Sequence, residues 1–509
     1  MPAGKSMIVL VLLFLLCGAS TLFGFAGPTN GVFLSDGSVS DTQAAINAAP
    51  NGATINIPTG TFVWSAVLNV NKAVTVAGAG AGNTIIQDNV TNVLQLPDGP
   101  VNPVMAVTLL PNLTTRITGI EFTAGARSSV NQSGIIYMSG INTDNRRGRV
   151  DHCKFTSVNN RCGVFVAGAL GVTDNCTFIV SNSQFTHDIR HPNWGGQSYG
   201  DGSWADDPHF GTDQFWFVED CTMDYSKQSL YECIDSYSGA RWVARHNTLI
   251  NSRFATHGTE TTQRYRGTRA IEIYQNNMTG DNVNNQALSL RSGSSVIYSN
   301  TMSGWNVAFP GVFTMYAFRE IQLCTPWGGA DGTNPWDQND SRNPFQTASA
   351  TSGGALTMTV SAANWTANQW VGYSLKNSTA GGFSEIAANT SNTITFKASM
   401  FAPNLSFAAG DAYALNLVTT ILDQPGVGKG DLINTSSPAW PHQAVETCYE
   451  WANTANGIDV GYGPQNNVIQ SGIHYQNDTV KPGYTAYTYP HPLRTVRLNA
   501  PTNLRVVGN

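Results

Sequence analysis

Between Arg149 and Met302 one short pattern keeps returning: an aliphatic residue, a few polar residues, then a large apolar residue. It reads Val150-Asp-His-Cys-Lys-Phe155, Val180-Ser-Asn-Ser-Gln-Phe185, Val218-Glu-Asp-Cys-Thr-Met223, Ala244-Arg-His-Asn-Thr-Leu249, Ile273-Tyr-Gln-Asn-Asn-Met278 and Ile297-Tyr-Ser-Asn-Thr-Met302, with Ile117-Thr-Gly-Ile-Glu-Phe122 starting the series. The closing residues are spaced by 33, 30, 38, 26, 29 and 24 positions. Variable gaps around a constant core describe coils that share one cross-section and differ in loop length, which is how a solenoid is written in sequence. Two positions before each closing residue stand Cys153, Ser183, Cys221, Asn247, Asn276 and Asn300. Small polar residues stacked at about 4.8 Å hydrogen-bond along the stack and satisfy a tight turn. The expected fold is all-β, a right-handed parallel β-helix of three sheets.

Composition agrees with that reading. Of 509 residues only 12% are charged while 50 are glycine, and no long amphipathic helix is visible. The formal charge is −6 without a basic run, which argues against nucleic acid and anionic membranes as partners. Lys5 followed by the apolar run Met7–Leu16 and by small residues up to Ala19 or Ala26 reads as a secretory signal peptide over 1–26, too short for a transmembrane span. A secreted or extracellular location follows, with the periplasm or cell surface as variants. Seven cysteines remain after its removal, and Cys153 and Cys221, two coil spacings apart, are expected as buried thiols.

Asp41–Ala49 is expected as a short helix, capped by Ser40 or Asp41, that covers the first open strand edge. The solenoid is assigned to 27–345 and 417–509. Between about Gln346 and Asn416 its pattern stops, and short alternating strands predict a small inserted β-domain after a linker from Thr325 to Pro344. Leu422–Asp431 lacks the spacing of a phosphate loop, so nucleotide binding is set aside.

The segments Ile55-Asn-Ile-Pro58-Thr-Gly-Thr-Phe62 and Val74-Thr-Val-Ala-Gly-Ala-Gly80, behind a capping helix, resemble the entrance of the pectate-lyase-like superfamily of right-handed parallel β-helices. Gly239–Asn247, His257-Gly-Thr259, Arg266–Tyr274 and Tyr487–Leu493 are similar to secreted bacterial members of unassigned activity. The resemblance implies a polysaccharide as partner and calcium as the candidate cofactor. Arg190-x-Pro192 matches half of the motif in which pectate lyases keep a catalytic arginine, with Gly195 where the second arginine would stand. No carboxylate cluster with calcium-ligand spacing is evident.

Counting back from the repeats places Asp235, His257 and Arg291 in one outward column on successive coils. A carboxylate beside an imidazole raises its basicity and orients its ring, and a guanidinium keeps that carboxylate ionised or clamps a substrate carboxylate. The predicted catalytic set is therefore Asp235, His257, Arg291 and Arg190. Trp194, Tyr199, Trp204, Asp206 and Asp207 form a long loop whose aromatic faces suit sugars, and Arg266 and Arg269 are placed as groove residues toward a polyanion or, equally, as structural ion pairs. The expectation is a polysaccharide lyase acting on a uronic-acid glycan. The alternatives are a glycoside hydrolase pairing Asp235 with Asp206, Asp207 or Glu232, and a glycan-binding surface protein.

Overall fold

The computed structural model describes residues 24–495 except 92–93, 97–98, 102, 128–133, 159–160, 183, 229–230, 259–264, 281–285, 306–310, 317–343, 372, 399–404, 417–422, 429–443 and 466–468. The expected signal peptide up to residue 23, most of the expected linker, Ser183 and the tail beyond residue 495 lie outside the described residues. The chain is a parallel β-helix: three sheets of 13, 11 and 10 strands run along it, and nearly all their strands pair in parallel with the equivalent strand of the next coil. One apolar core fills the space between the sheets.

The recurring pattern is the corner between the thirteen- and eleven-stranded sheets. The residue before each ladder position has a left-handed backbone, with φ of 52° at His152, 51° at Asn175, 54° at Asp220, 56° at His246 and Gln275, and 54° at Ser299 and Ala452. The ladder side chain then points inward and bonds a carbonyl of the preceding coil. Asn247, Asn276, Asn300 and Asn453 donate Nδ2 to Val218, Ala244, Ile273 and Ile297 at 2.9–3.0 Å. Cys153, Cys176 and Cys221 place Sγ 3.7–3.9 Å from the corresponding carbonyls of Ile117, Val150 and Thr173. The amides also bond one another, Asn247 to Asn276 and Asn276 to Asn300 at 2.9 Å and Asn300 to Asn453 at 2.8 Å.

Register corrects one expected repeat. Phe155 pairs with Phe178 and Phe178 with Met223, so the coil between them closes at Phe178 and its ladder residue is Cys176. Phe185 instead begins the next strand of the ten-stranded sheet, opposite Cys162. Thr173, opposite Val150, fills the slot where the quoted repeats carry an aliphatic residue, so this coil departs from the pattern that Val180–Phe185 satisfies; packing decides, because Phe178 stacks on Phe155 at 4.7 Å as Phe155 does on Phe122 at 5.2 Å. Among the described residues six cysteines are present, all free and buried.

At the N-terminus the helix spans Val39–Ala48 and its cap is Ser38, whose side chain accepts from the Asp41 amide, rather than Ser40 or Asp41. An antiparallel hairpin, Ala26–Thr29 with Val32–Leu34, precedes it and finishes the thirteen-stranded sheet. The helix covers the edge of Leu68–Val70: the Gln43 amide donates to Asn69 O at 3.0 Å and accepts from Asn69 N at 2.8 Å, replacing the bonds a further strand would make. Residues 346–416 form a separate seven-stranded antiparallel sheet around Met358, Trp365, Trp370, Ile394 and Leu415. After it the solenoid resumes without loss of register, Tyr298 pairing with Trp451 and Asn300 bonding Asn453.

The outer face of the thirteen-stranded sheet is closed by the segment leading to Thr495. Arg245 donates to the carbonyls of Tyr487 at 2.7 Å and Thr488 at 2.9 Å while pairing with Glu219, and Arg149 holds Asp174 and reaches Leu493 O at 3.1 Å. Under this strap Glu272 accepts from the Tyr484 hydroxyl and from Gly211 N at 2.7 Å.

Two predictions follow from these contacts. Asn276→Ala removes a buried amide that bonds both neighbours in the stack, and it should cost roughly 2–4 kcal/mol in denaturant unfolding. Asn276→Cys, which imitates the thiol coils, should cost less. Burial pushes the Glu272 carboxyl from 4.5 up to about 7 against the opposing bonds from Tyr484 and Gly211. Between those pH values the folded chain holds a proton that the unfolded chain has released, so this group's contribution to stability falls as pH rises. Glu272→Gln removes the titration, and its stability relative to the parent should increase by up to about 3 kcal/mol between about pH 5 and about pH 8, read from unfolding at both.

Candidate functional site

The ten-stranded sheet carries the site on its outer face. In parallel strands alternate residues point inward, and Ile189, Ile234, Phe254, Leu288 and Leu290 belong to the core. Asp188 and Arg190, Asp235 and Tyr237, and His257 and Arg291 therefore project outward. The strand Tyr231–Tyr237 carries an irregularity at Cys233, so Glu232 pairs with Arg253 but Ile234 with Phe254. A bulge of this kind re-aims the side chains that follow it. As a result Asp235 stands opposite Ala255, and His257 two residues further along lies beside Tyr237. The expected single column is thereby corrected; the offset is an even number of residues, so both groups keep the outward face.

Asp235 and His257 still meet, Nε2 lying 3.0 Å from Oδ1. Asp235 is 1% exposed, and its Oδ1 also accepts from Ser236 N at 2.9 Å. The guanidinium that holds Asp235 is Arg161, not Arg291: its Nη2 lies 2.8 Å from Asp235 Oδ2 while its Nε lies 2.6 Å from Asp188 Oδ2. Burial works against the Asp235 charge, yet His257, Arg161 and Arg190 together outweigh it and hold the carboxyl well below its usual range. The same exchange in reverse lifts Arg161: burial opposes its charge, and Asp188 and Asp235 overcome that. Arg161 had no place in the sequence reading because it sits two coils back, and its partner Asp188, in register with Asp235, was the available signal.

Arg291 bonds Glu232 at 3.1 Å, as does Arg253, both at Oε1. Among the described residues, three carboxylates (Asp188, Glu232, Asp235) and four guanidiniums (Arg161, Arg190, Arg253, Arg291) are linked by ion pairs around His257. His257 keeps 27% of its side chain exposed. Beside it the rings of Tyr237, Tyr265 and Tyr199 follow one another at 5.5–5.9 Å, and Tyr199 at the end is 38% exposed.

Several predicted residues are structural. Arg190 is buried, bonds Asp188 on its own strand at 2.8 and 2.9 Å, and lies between the rings of Phe165 and Tyr237, so it presents no guanidinium to a substrate. Trp194 and Trp204 are buried: Trp194 donates to Asp206 at 3.0 Å and covers Arg241, and Trp204 donates to Gly267 O at 2.8 Å and covers Arg266 and Arg269. They form no aromatic lip. Arg266 and Arg269 are fully buried, paired with Asp423 and Glu446, which excludes them as groove residues and leaves the ion-pair reading. Asp206 accepts from Trp194 and His209, and burial of its carboxyl is outweighed by these bonds, so it stays ionised. Asp207 is exposed and its carbonyl binds Arg241 at 2.6 Å. Neither aspartate is in the Asp235 cluster.

Among the described residues, Glu232, Asp235 and His257 place one ligand atom each within 4.8 Å of one another. Calcium does not fit this set: it takes six to eight oxygens, whereas among the described residues one imidazole and two carboxylates converge here.

Fold and site together define a parallel β-helix protein with an oriented Asp–His pair on one outer face. No protein-family model and no curated protein matches the sequence. Among solved structures the chain is similar to a PL6 family alginate lyase (TM-score 0.31, 13% identity, 57% of this chain and 41% of that one). It is also similar to ORF18 of Geobacillus virus E2 (0.28, 13%, 52% and 49%) and to the catalytic domain of a GH87 α-1,3-glucanase in complex with nigerose (0.26, 11%, 55% and 54%). This chain thus spans 41 to 54% of the length of those proteins.

Removing Arg161 tests the electrostatics of the cluster. Arg161→Gln leaves Asp188 and Asp235 buried with one cation fewer and should destabilise the fold by about 3 kcal/mol in chemical unfolding, whereas Arg291→Gln, whose partner Glu232 keeps Arg253, should cost less than about 1 kcal/mol.

Proposed function

We propose that the protein is a polysaccharide lyase that cleaves a uronic-acid glycan by β-elimination. The observation that carries this reading is the Asp235–His257 contact of 3.0 Å on an outer face bordered by guanidiniums. With Nε2 bonded to an ionised Asp235, the ring is oriented and proton acceptance falls to Nδ1, which takes the proton α to the uronate carboxylate. Negative charge then develops on that carboxylate, where the bordering guanidiniums stabilise it, and its collapse forms the carbon–carbon double bond and expels the glycosidic oxygen, which leaves as a hydroxyl after taking a proton from water. Arg291 and Arg253, each partly exposed at 19% and 26% of the side chain, are the groups assigned to clamp it. Tyr199 supplies an exposed ring for an adjoining sugar.

A hydrolase is less well supported, because it requires one carboxyl to be protonated as general acid. Asp235 is held ionised, and Glu232 accepts from two guanidiniums. Export through the N-terminal apolar run belongs to the same proposal. Phe25 packs on Phe33 and Ala26 opens the first hairpin, so a cut after Ala19 keeps that hairpin whole.

The test is ultraviolet absorbance of the unsaturated product during incubation with a panel of uronic-acid polysaccharides, run beside a reducing-end assay. Absorbance should rise with the parent protein, and His257→Ala should lower kcat by roughly 10²–10⁴-fold with little change in KM. Arg291→Ala should act mainly on KM. Reducing ends without absorbance would replace the lyase by a hydrolase, and glycan binding without either signal would leave a surface binding protein.

A further inference from the structure

We propose that Glu232, Asp235 and His257 form a binding site for a divalent transition ion of the zinc class. The three ligand atoms already converge within 4.8 Å of one another on two neighbouring strands, and one imidazole with two carboxylates is a donor set that suits a borderline ion. The guanidiniums act on the carboxylates from outside the set. Arg253 and Arg291 both bond Glu232 at Oε1, and Arg161 bonds Asp235 at Oδ2 while His257 meets Oδ1. The arginines thus fix Glu232 at Oε1 and Asp235 at Oδ2, which is how outer hydrogen bonds orient ligating carboxylates in metal sites, and Asp235 Oδ1 also accepts from Ser236 N at 2.9 Å. The neighbouring guanidiniums weaken the site without closing it, since Arg161 and Arg253 have second acceptors in Asp188 and Gln286 that they keep when an ion enters.

The ion would take the Nε2 lone pair, which the neutral ring frees by moving its single proton from Nε2 to Nδ1 through solvent. That nitrogen can no longer accept a proton from substrate. Resting on the lyase reading above, the ion is accordingly an inhibitor that competes for the same imidazole.

The experiment is calorimetric titration of the full-length, chelator-treated protein with Zn²⁺, together with visible absorption spectra after addition of Co²⁺. The expected result is one ion per chain, Co²⁺ bands showing a nitrogen- and oxygen-bound ion, and at least about a tenfold loss of affinity in both His257→Ala and Glu232→Gln. His209→Ala, remote from the cluster, should leave the titration unchanged, and Ca²⁺ should give no comparable heat. Should His257→Ala fail to fold, Glu232→Gln carries the test, because its amide keeps the shape and loses the charge. No binding, or binding indifferent to both variants, overturns the proposal. The elimination assay separates the two readings: zinc binding in a protein that cleaves no uronate glycan sinks the lyase and leaves the ion site, and elimination undiminished at zinc concentrations that would saturate the site sinks the ion site alone.

Discussion

Everything in this chain hangs on the bond that each coil makes to the one before it at a single corner. A left-handed residue turns the backbone, and the next side chain reaches back to a carbonyl that the turn would otherwise leave unpaired inside the core. A buried unpaired carbonyl costs about 1–3 kcal/mol, so the ladder is a condition of the turn and not an addition to it. Its chemistry changes along the axis, from thiols at Cys153, Cys176 and Cys221 to amides from Asn247 to Asn453, while the acceptor position stays the same. Because corner and register are settled locally, a seven-stranded domain can interrupt the chain between Asn300 and Asn453 and the stack still closes at 2.8 Å.

Charge is spent sparingly and mostly inside. With 12% charged residues, the chain nevertheless buries Arg241, Arg245, Arg266 and Arg269, each satisfied by loop carbonyls or carboxylates from remote segments such as Asp423, Glu446 and Tyr487. These arginines fasten loops and the C-terminal strap to the outer face of the thirteen-stranded sheet. A guanidinium suits the task because its planar donors bond several carbonyls at once, as Arg241 does with Ser203, Asp207 and Pro208. The faces differ in consequence. That sheet is covered by its arginines, whereas the ten-stranded sheet leaves His257, Arg161, Arg253 and Arg291 partly open.

The coil corner was legible in the sequence because it repeats: a polar pair before a large apolar residue is visible without any structure. What failed were places where the local pattern misleads. Val180–Phe185 carries the repeat, whereas the coil that closes at Phe178 has Thr173 in the aliphatic slot and is revealed by register and by the stacking of Phe178 on Phe155. The arginines of the Arg266–Tyr274 segment read alike as groove or as ion pair, and their partners Asp423 and Glu446 lie more than a hundred residues away, beyond any local signal. Trp194 and Trp204 suggest a lip because aromatic loops often form one, but the indole N–H of Trp194 finds Asp206 in the loop and that of Trp204 finds the carbonyl of the distant Gly267, and both rings serve as lids over arginines.

The site was half legible for a related reason. Parity along a strand survives an error of two residues, so Asp235 and His257 were rightly placed on one face even though the bulge at Cys233 shifts them out of line. Their contact survives the shift: the aspartate sits one strand over, opposite Ala255 and two residues back from His257, at a diagonal the imidazole spans to reach it at 3.0 Å. Arg161 could not be inferred from spacing, since it reaches across Asp188 from outside the strand pattern to bind Asp235. A bulge and a long side chain, the two features a periodic reading averages away, are what turn a regular column into a cluster with a fixed proton arrangement.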